Sequence, residues 1–261
     1  MTISHLTGGY RGTAVVKDLS LTLPRGEITA LVGPNGCGKT TLLRLCGRLL
    51  RPMAGTIRLP DSSGTQRDIA AFSPKEFARL AAVLPQVRAV PSLPVGALVA
   101  HGRFPHLAYP RRLSGEDRRL VRQAMEAAGI WELRDANVAE LSGGQRQKAY
   151  IAMALAQGAV YLFLDEPTTY LDLRHQYDIL ARLREQRDAG KAVVMVLHDL
   201  SQALAIADRV AVMAQGRLVA VGTPREIADG GTLDEAFGVR CVKTRDEEGR
   251  EGYAFYPRER E

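Results

Sequence analysis

Residues 27–50 read "EITALVGPNGCGKTTLLRLCGRLL": an apolar run of strand length, a loop with three glycines and a lysine, and a run with helical character. This stretch constrains the fold more than any other. A strand that turns through so bare a loop into a helix is the first half of a βαβ unit, and such units build parallel sheets. Glycine is needed because only a residue without a Cβ lets the backbone curl until successive N–H groups converge on one point.

The rest of the chain continues the alternation. "AVVKDLSLTL" (14–23) and "GTIRLP" (55–60) read as strands, as do "AVYLFLDE" (159–166) and "AVVMVLH" (192–198). "RVAVMAQGRLVAVG" (209–222) reads as a hairpin turning at Gln215-Gly216. "SPKEFARLAA" (73–82) opens with Ser73, Pro74 and Glu76, the signature of a capped helix start, and a second box begins at Thr223 with Pro224 and Glu226. Between about 87 and 155 the character is helix and loop. Near-continuous apolar strands between helices imply a buried, mostly parallel sheet. The expected fold is α/β, interrupted by a helical insertion and followed from about 243 by a charged, weakly patterned tail. Composition agrees: 46% hydrophobic and 25% charged residues over 261 suit one large globular unit. The apolar runs are too short for a membrane span, and no signal peptide is read at the start. Cys37, Cys46 and Cys241 lack metal-site spacing and read as reduced thiols of a cytosolic chain. The net charge of +6 is interleaved along the sequence, as on a solvated surface, so no nucleic-acid partner is expected.

Gly33-x-x-x-x-Gly38-Lys39-Thr40 matches the phosphate-binding loop pattern between the strand and helix it requires. Its amides would hold a nucleoside triphosphate, Lys39 would reach the β- and γ-phosphates, and the Thr40 hydroxyl would ligate Mg²⁺. "VYLFLDEP" (160–167) supplies the second acid for that ion, Asp165, with Glu166 one residue on to polarise a water. A strand ending in acids is common by itself; its pairing with the loop gives it this reading. "LSGGQRQ" (141–147) adds a hydroxyl and bare backbone at a helix start. One γ-phosphate is not easily wrapped by two glycine motifs of one chain, so Ser142, Gly143 and Gly144 point to a second molecule that completes the site.

With these motifs the sequence resembles the ATP-binding cassette family of ATPases over nearly its whole length. The resemblance implies a P-loop NTPase core with a mostly parallel sheet, an antiparallel β subdomain and an inserted α-helical subdomain. It places the nucleotide-binding core at 1–86 and 156–225, the helical signature subdomain at 87–155 and a C-terminal tail at 226–261. ATP and Mg²⁺ are the implied ligands. Residues 33–41 (Gly33, Pro34, Asn35, Gly36, Cys37, Gly38, Lys39, Thr40, Thr41) would bind nucleotide, with Ser142, Gly143, Gly144 and Gln145 completing the site from a second copy. Tyr10 resembles the aromatic that stacks on adenine, although a plain surface or core tyrosine remains an alternative. Gln86 resembles the glutamine that senses Mg²⁺ and the attacking water. Asp172 resembles the aspartate linking the two sites of a dimer, and His198 the switch histidine at the γ-phosphate. Cys37 stands where serine is common, and its side chain is not needed for phosphate contact.

"GRFPH" (102–106), "LSGGQRQKAYIAMALAQ" and "LDEPTTYLDLRHQ" are similar to importers of iron chelates, with haem and cobalamin importers as close relatives. That resemblance implies integral-membrane permease subunits, an extracytoplasmic binding protein, and a peripheral place on the cytoplasmic face of the membrane. Arg103, Phe104, Pro105 and His106 would belong to the groove that receives the permease; a proline-stiffened surface loop is the alternative. No metal site is expected at His101, His106 and Cys241. A soluble cassette acting on a protein or nucleic-acid assembly and an exporter subunit remain open, since both share the catalytic motifs. The first relatives tend to carry two cassettes or long coiled-coil arms, which this chain lacks.

Overall fold

The computed structural model describes residues 1–61, 64–86, 90–245, 247–249 and 251–258. Strand β1 (Thr2–Tyr10) turns at Arg11-Gly12, both at positive φ, into β2 (Thr13–Thr22). That two-residue turn matches the twist of an antiparallel pair. Strand β3 (Ile28–Val32) follows and leads through the glycine loop into helix α1 (Lys39–Cys46). Next come β4 (Ala54–Pro60), β5 (Gln66–Asp68), α2 (Pro74–Leu80) and β6 (Ala81–Leu84). Helices α3 (Val95–His101), α4 (Gly115–Ala127) and α5 (Gly143–Gln157) form the insertion. The chain then alternates through β7 (Tyr161–Asp165), α6 (Leu173–Asp188), β8 (Ala192–Val196), α7 (Leu200–Ile206) and β9 (Arg209–Ala214), and β9 turns into β10 (Arg217–Gly222).

The central sheet has the order β10-β9-β3-β8-β7-β6, parallel throughout except for β10. A second, antiparallel sheet runs β2-β1-β4-β5. Side-chain alternation along the buried strands divides the core in two. On β7, Leu162 and Leu164 join a cluster with the insertion and α6, whereas Tyr161 and Phe163 join α1 and the antiparallel sheet. Ile28, Ala30 and Val32 of β3 face the first cluster, and Leu31 the second. The glycine loop therefore leaves a strand buried on both faces, which gives it a rigid base.

Among the strands that escaped the sequence reading, β5 is three residues long and two more lie in the charged tail; β1 and β6 have causes of their own. β1 has a broken pattern because its pairing with β2 shifts register three times. β6 is only four residues, and the run read as helix to 82 stops at Leu80, because Ala81–Leu84 pair in parallel with β7. The capping boxes at Ser73 and Thr223 form as read, and Ser114 makes another with Asp117. Of the stretch from about 87 to 155 read as helix and loop, residues 87–89 lie outside the described ones.

The tail is ordered against the body. After α8 (Pro224–Asp229) and α9 (Thr232–Phe237), strands β11 (Val239–Arg245) and β12 (Glu251–Pro257) form an antiparallel hairpin. Cys241, Tyr253 and Phe255 pack on the first core cluster, and Ser201 Oγ of α7 donates to the Tyr253 carbonyl at 3.0 Å. Toward the hairpin's turn, charged residues such as Lys243 and its partner Glu251 continue the face that Cys241, Tyr253 and Phe255 begin, so its sequence looks unpatterned.

Candidate active site

The loop between β3 and α1 is held open by glycine. A Cβ on Gly33, at φ 154°, would lie 2.1 Å from the Met213 carbonyl oxygen and 2.7 Å from Cys37 Sγ. Gly38 is left-handed at φ 105° and N-caps α1 without a side-chain acceptor, so the first-turn amides remain available to an anion. Cys37 is buried in the second core cluster, with its Sγ 3.8 Å from Lys39 Nζ. Lys39 is almost wholly buried; its Nζ donates to the carbonyls of Gly33 at 2.6 Å and Pro34 at 3.0 Å. A cleft of about 460 Å³ opens over Asn35, Gly36, Gly38, Lys39, Thr40 and Thr41, with Gln86, Glu166 and His198 on its far wall.

Acidic groups enter at the end of β7. Asp165 Oδ1 accepts from the Thr40 hydroxyl at 3.1 Å. Burial raises the Asp165 carboxyl above the usual carboxylate range, and the Thr40 bond offsets this only in part. Glu166 has a left-handed backbone, φ 53°, uncommon for a residue with a Cβ. Its Oε1 accepts from Gln86 Nε2 at 2.7 Å and lies 2.5 Å from His198 Nε2, while Oε2 accepts from Thr169 Oγ1 at 3.1 Å. The carboxylate is thus aimed by three side chains from three separate segments. Parallel strand order brings them together: β6, β7 and β8 are neighbours, and Gln86, Glu166 and His198 follow their C-terminal ends. Tyr10 lines the cleft mouth, 40% exposed, and its hydroxyl accepts from Arg44 at 3.0 Å.

Ser142, Gly143, Gly144 and Gln145 stand elsewhere. Ser142 N-caps α5 in a reciprocal box with Gln145. Together the four line another cleft of about 560 Å³, with Lys148, Tyr170, Asp172 and His175. Asp172 caps α6, and hydrogen bonds from the His175 backbone and imidazole hold its carboxyl below the usual range. In this chain the signature and the glycine loop therefore face different clefts.

Several residues take places the sequence did not disclose. Gln147, 3% exposed, donates to the backbone of Glu166 and Pro167, although it ends the "LSGGQRQ" run. Thr169 sits one turn beyond Glu166, and nothing in its type singled it out. Arg103, read as part of a docking groove, is instead 8% exposed: it pairs with Asp117 at 2.9 Å and donates to the Ala156 carbonyl. His106 shares a 2.8 Å hydrogen bond with the Gln157 carbonyl. Both fasten the loop to α4 and α5, so Phe104, 40% exposed beside His101, is left as the side chain offering surface.

Comparison with known proteins fits this geometry. Residues 16–169 match the sequence model of the ABC transporter family. The chain is 42% identical over 233 residues to the iron(3+)-hydroxamate import ATP-binding protein of Bacillus subtilis, covering 88% of this chain and 85% of that one. It is 43% identical over 240 residues to the ferric enterobactin transport ATP-binding protein of Escherichia coli, covering 91% and 87%. A solved metal-chelate type ABC transporter in an inward-facing conformation superposes with a TM-score of 0.80 at 26% identity, over 98% of this chain and 96% of that one. The chain belongs to the ABC transporter family, as an ATP-binding subunit that hydrolyses ATP.

Proposed function

We propose that this chain is the ATP-hydrolysing subunit of a membrane importer for iron chelates of the siderophore or haem type. The observation that carries the catalytic reading is the carboxylate of Glu166, aimed by Gln86, His198 and Thr169 across the cleft from Lys39 and Thr40. The cargo reading rests on the relatives, which include a hemin import ATP-binding protein of Thermobifida fusca at 39% identity over 89% of this chain and 80% of that one. No described helix is long and apolar enough to cross a membrane, so permease subunits would supply the pathway and an extracytoplasmic binding protein the cargo. The chain would then sit on the cytoplasmic face of the membrane.

The residues suggest a division of labour. Loop amides and Lys39 bind the triphosphate, and the Tyr10 ring stacks on the base. Thr40, Asp165 and Gln86 present oxygen atoms of the kind Mg²⁺ takes, and the ion, when bound, draws charge from the β- and γ-phosphate oxygens. Glu166 orients a water and accepts its proton as the new bond to the γ-phosphorus forms and the bond to the β–γ bridging oxygen breaks. His198 steadies that carboxylate and the charge on the leaving phosphate. Ser142 and the Gly143–Gly144 amides, facing away from their own loop, close over the nucleotide of a second copy. Nucleotide binding favours the closed head-to-tail pair, and loss of the γ-phosphate releases it.

The test is capture of the tagged chain from detergent-solubilised membranes, followed by ATPase assay of the complex in vesicles. A polytopic permease should co-purify, and a ferric siderophore or haem with its binding protein should stimulate turnover. Recovery of ribosomal or nucleic-acid factors in place of a permease would overturn the proposal.

A further inference from the structure

Gln147 is buried at the junction of the signature helix and the catalytic loop, and the established activity assigns it no task. Its Nε2 donates to the Pro167 carbonyl at 2.6 Å and to the Glu166 carbonyl at 3.3 Å. These two consecutive carbonyls belong to the turn in which Glu166 adopts φ 53°. A residue with a Cβ occupies that region at a cost, and persists there only when its surroundings over-determine it. The carboxylate's direction depends on that backbone: β7 ends at Asp165, and an extended Glu166 would continue the strand and turn its side chain to the opposite face.

The Gln147 side chain is well suited to holding the turn. One amide nitrogen carries two donors and so serves two neighbouring carbonyls at once. Its own backbone lies in the second turn of α5, whose first turn is locked by the Ser142–Gln145 box and by Arg146 donating to the Leu141 carbonyl. A stiff helix thereby grips a strained loop. Thr169 reinforces the same turn, its N–H donating to the Glu166 carbonyl at 3.3 Å and its hydroxyl to the carboxylate.

We propose that Gln147 is a positioning residue for hydrolysis: its amide clamps the Glu166–Pro167 backbone in the left-handed turn that aims the carboxylate at the attacking water. The inference rests on the reading of Glu166 as the group that activates water. It places the signature helix, through Gln147, in direct contact with the catalytic loop of its own chain.

Gln147→Met keeps the volume and removes the donors. With the full chain, turnover is measured by phosphate release under single-turnover conditions, and affinity with a fluorescent ATP analogue. Gln147→Met should turn over at least 10-fold more slowly with nucleotide affinity within two-fold of the parent. In the background of Glu166→Gln it should have no further effect, because the group it positions is already lost. Parental turnover in Gln147→Met overturns the proposal, as does a parallel fall in affinity and melting temperature. So does a double variant slowed by the full Gln147→Met factor. Should the Met variant not fold, Gln147→Asn keeps both donors on a shorter arm and is held to the same outcomes. Parental turnover in Glu166→Gln alone would instead overturn the assignment of Glu166, and is seen before any Gln147 variant is made.

Discussion

His198 Nε2 lies 2.5 Å from Glu166 Oε1, although 32 residues and a whole helix separate them in sequence. The two residues follow the C-terminal ends of β8 and β7, which are hydrogen-bonded neighbours in the parallel sheet. The contact joins a half-exposed imidazole to a carboxylate that is itself only 9% exposed. The imidazole thus meets the carboxylate from the side that faces the cleft.

Replacing Glu166 by Gln keeps the size of the side chain and its contact with the cleft but removes the carboxylate proposed as the base. ATP turnover should fall about 100-fold or more, with nucleotide binding retained. With ATP and Mg²⁺ this variant should accumulate as a dimer in size-exclusion chromatography. A monomer at saturating ATP would contradict the two-copy site.

Asp165 carries a cost of burial. Its carboxyl is raised by desolvation, so the folded state holds the proton more readily than the unfolded chain does. The sign follows: this group disfavours folding above its folded value, and the penalty fades as pH falls through it. Asp165→Asn should therefore raise the melting temperature at neutral pH in nucleotide- and Mg²⁺-free buffer. The same variant should lose turnover about 100-fold, which phosphate release will read.

A Cβ at residue 33 has no room. Gly33→Ala would set a methyl group 2.1 Å from the Met213 carbonyl oxygen, at a backbone angle that disfavours any Cβ. The loop must shift or the strand must yield. We expect a loss of about 2 kcal/mol or more of stability and at least 10-fold weaker ATP binding. Thermal melts and nucleotide titration measure the two separately.

Arg103 is expected to matter for folding rather than for chemistry. Arg103→Leu leaves the Asp117 carboxylate without its buried partner, a loss of about 3 kcal/mol or more. Asp117 itself is held down to about 2, chiefly by the Ser114 hydroxyl and in part by Arg103, against the opposing effect of burial. Its folded value is depressed, so its contribution is present above about 4, the ordinary unfolded value, and is lost as pH falls through about 2. The stability gap between parent and Asp117→Asn should be wide at pH 6 and narrow toward pH 2.5 in thermal melts.

Much of the site was legible because its parts are local. The glycine loop is a single turn between a strand and a helix, and backbone geometry alone dictates glycine at 33 and 38. Asp165 and Glu166 end a strand whose apolar run is plain in the sequence. Ser142, Ser73 and Thr223 announce helix starts because a cap is satisfied within four residues. Gln86 and His198 were placed through the family resemblance, since neither carries a local signal. Arg103 was misplaced for the same reason: an arginine in a proline-bearing loop reads as surface until Asp117 and the Ala156 carbonyl are seen around it.

The sequence by itself determined the phosphate loop, the acidic strand end, the helix caps and the alternation that demands a parallel sheet, because each depends on contacts within a few residues. Only the tertiary structure decided that Gln86 and His198 meet on one carboxylate, that Gln147 grips the Glu166 turn, and that the charged tail folds into a hairpin against α7. Those outcomes follow from strand order and helix packing, which bring residues tens of positions apart into hydrogen-bond range. No local pattern encodes which distant polar groups a buried side chain will find.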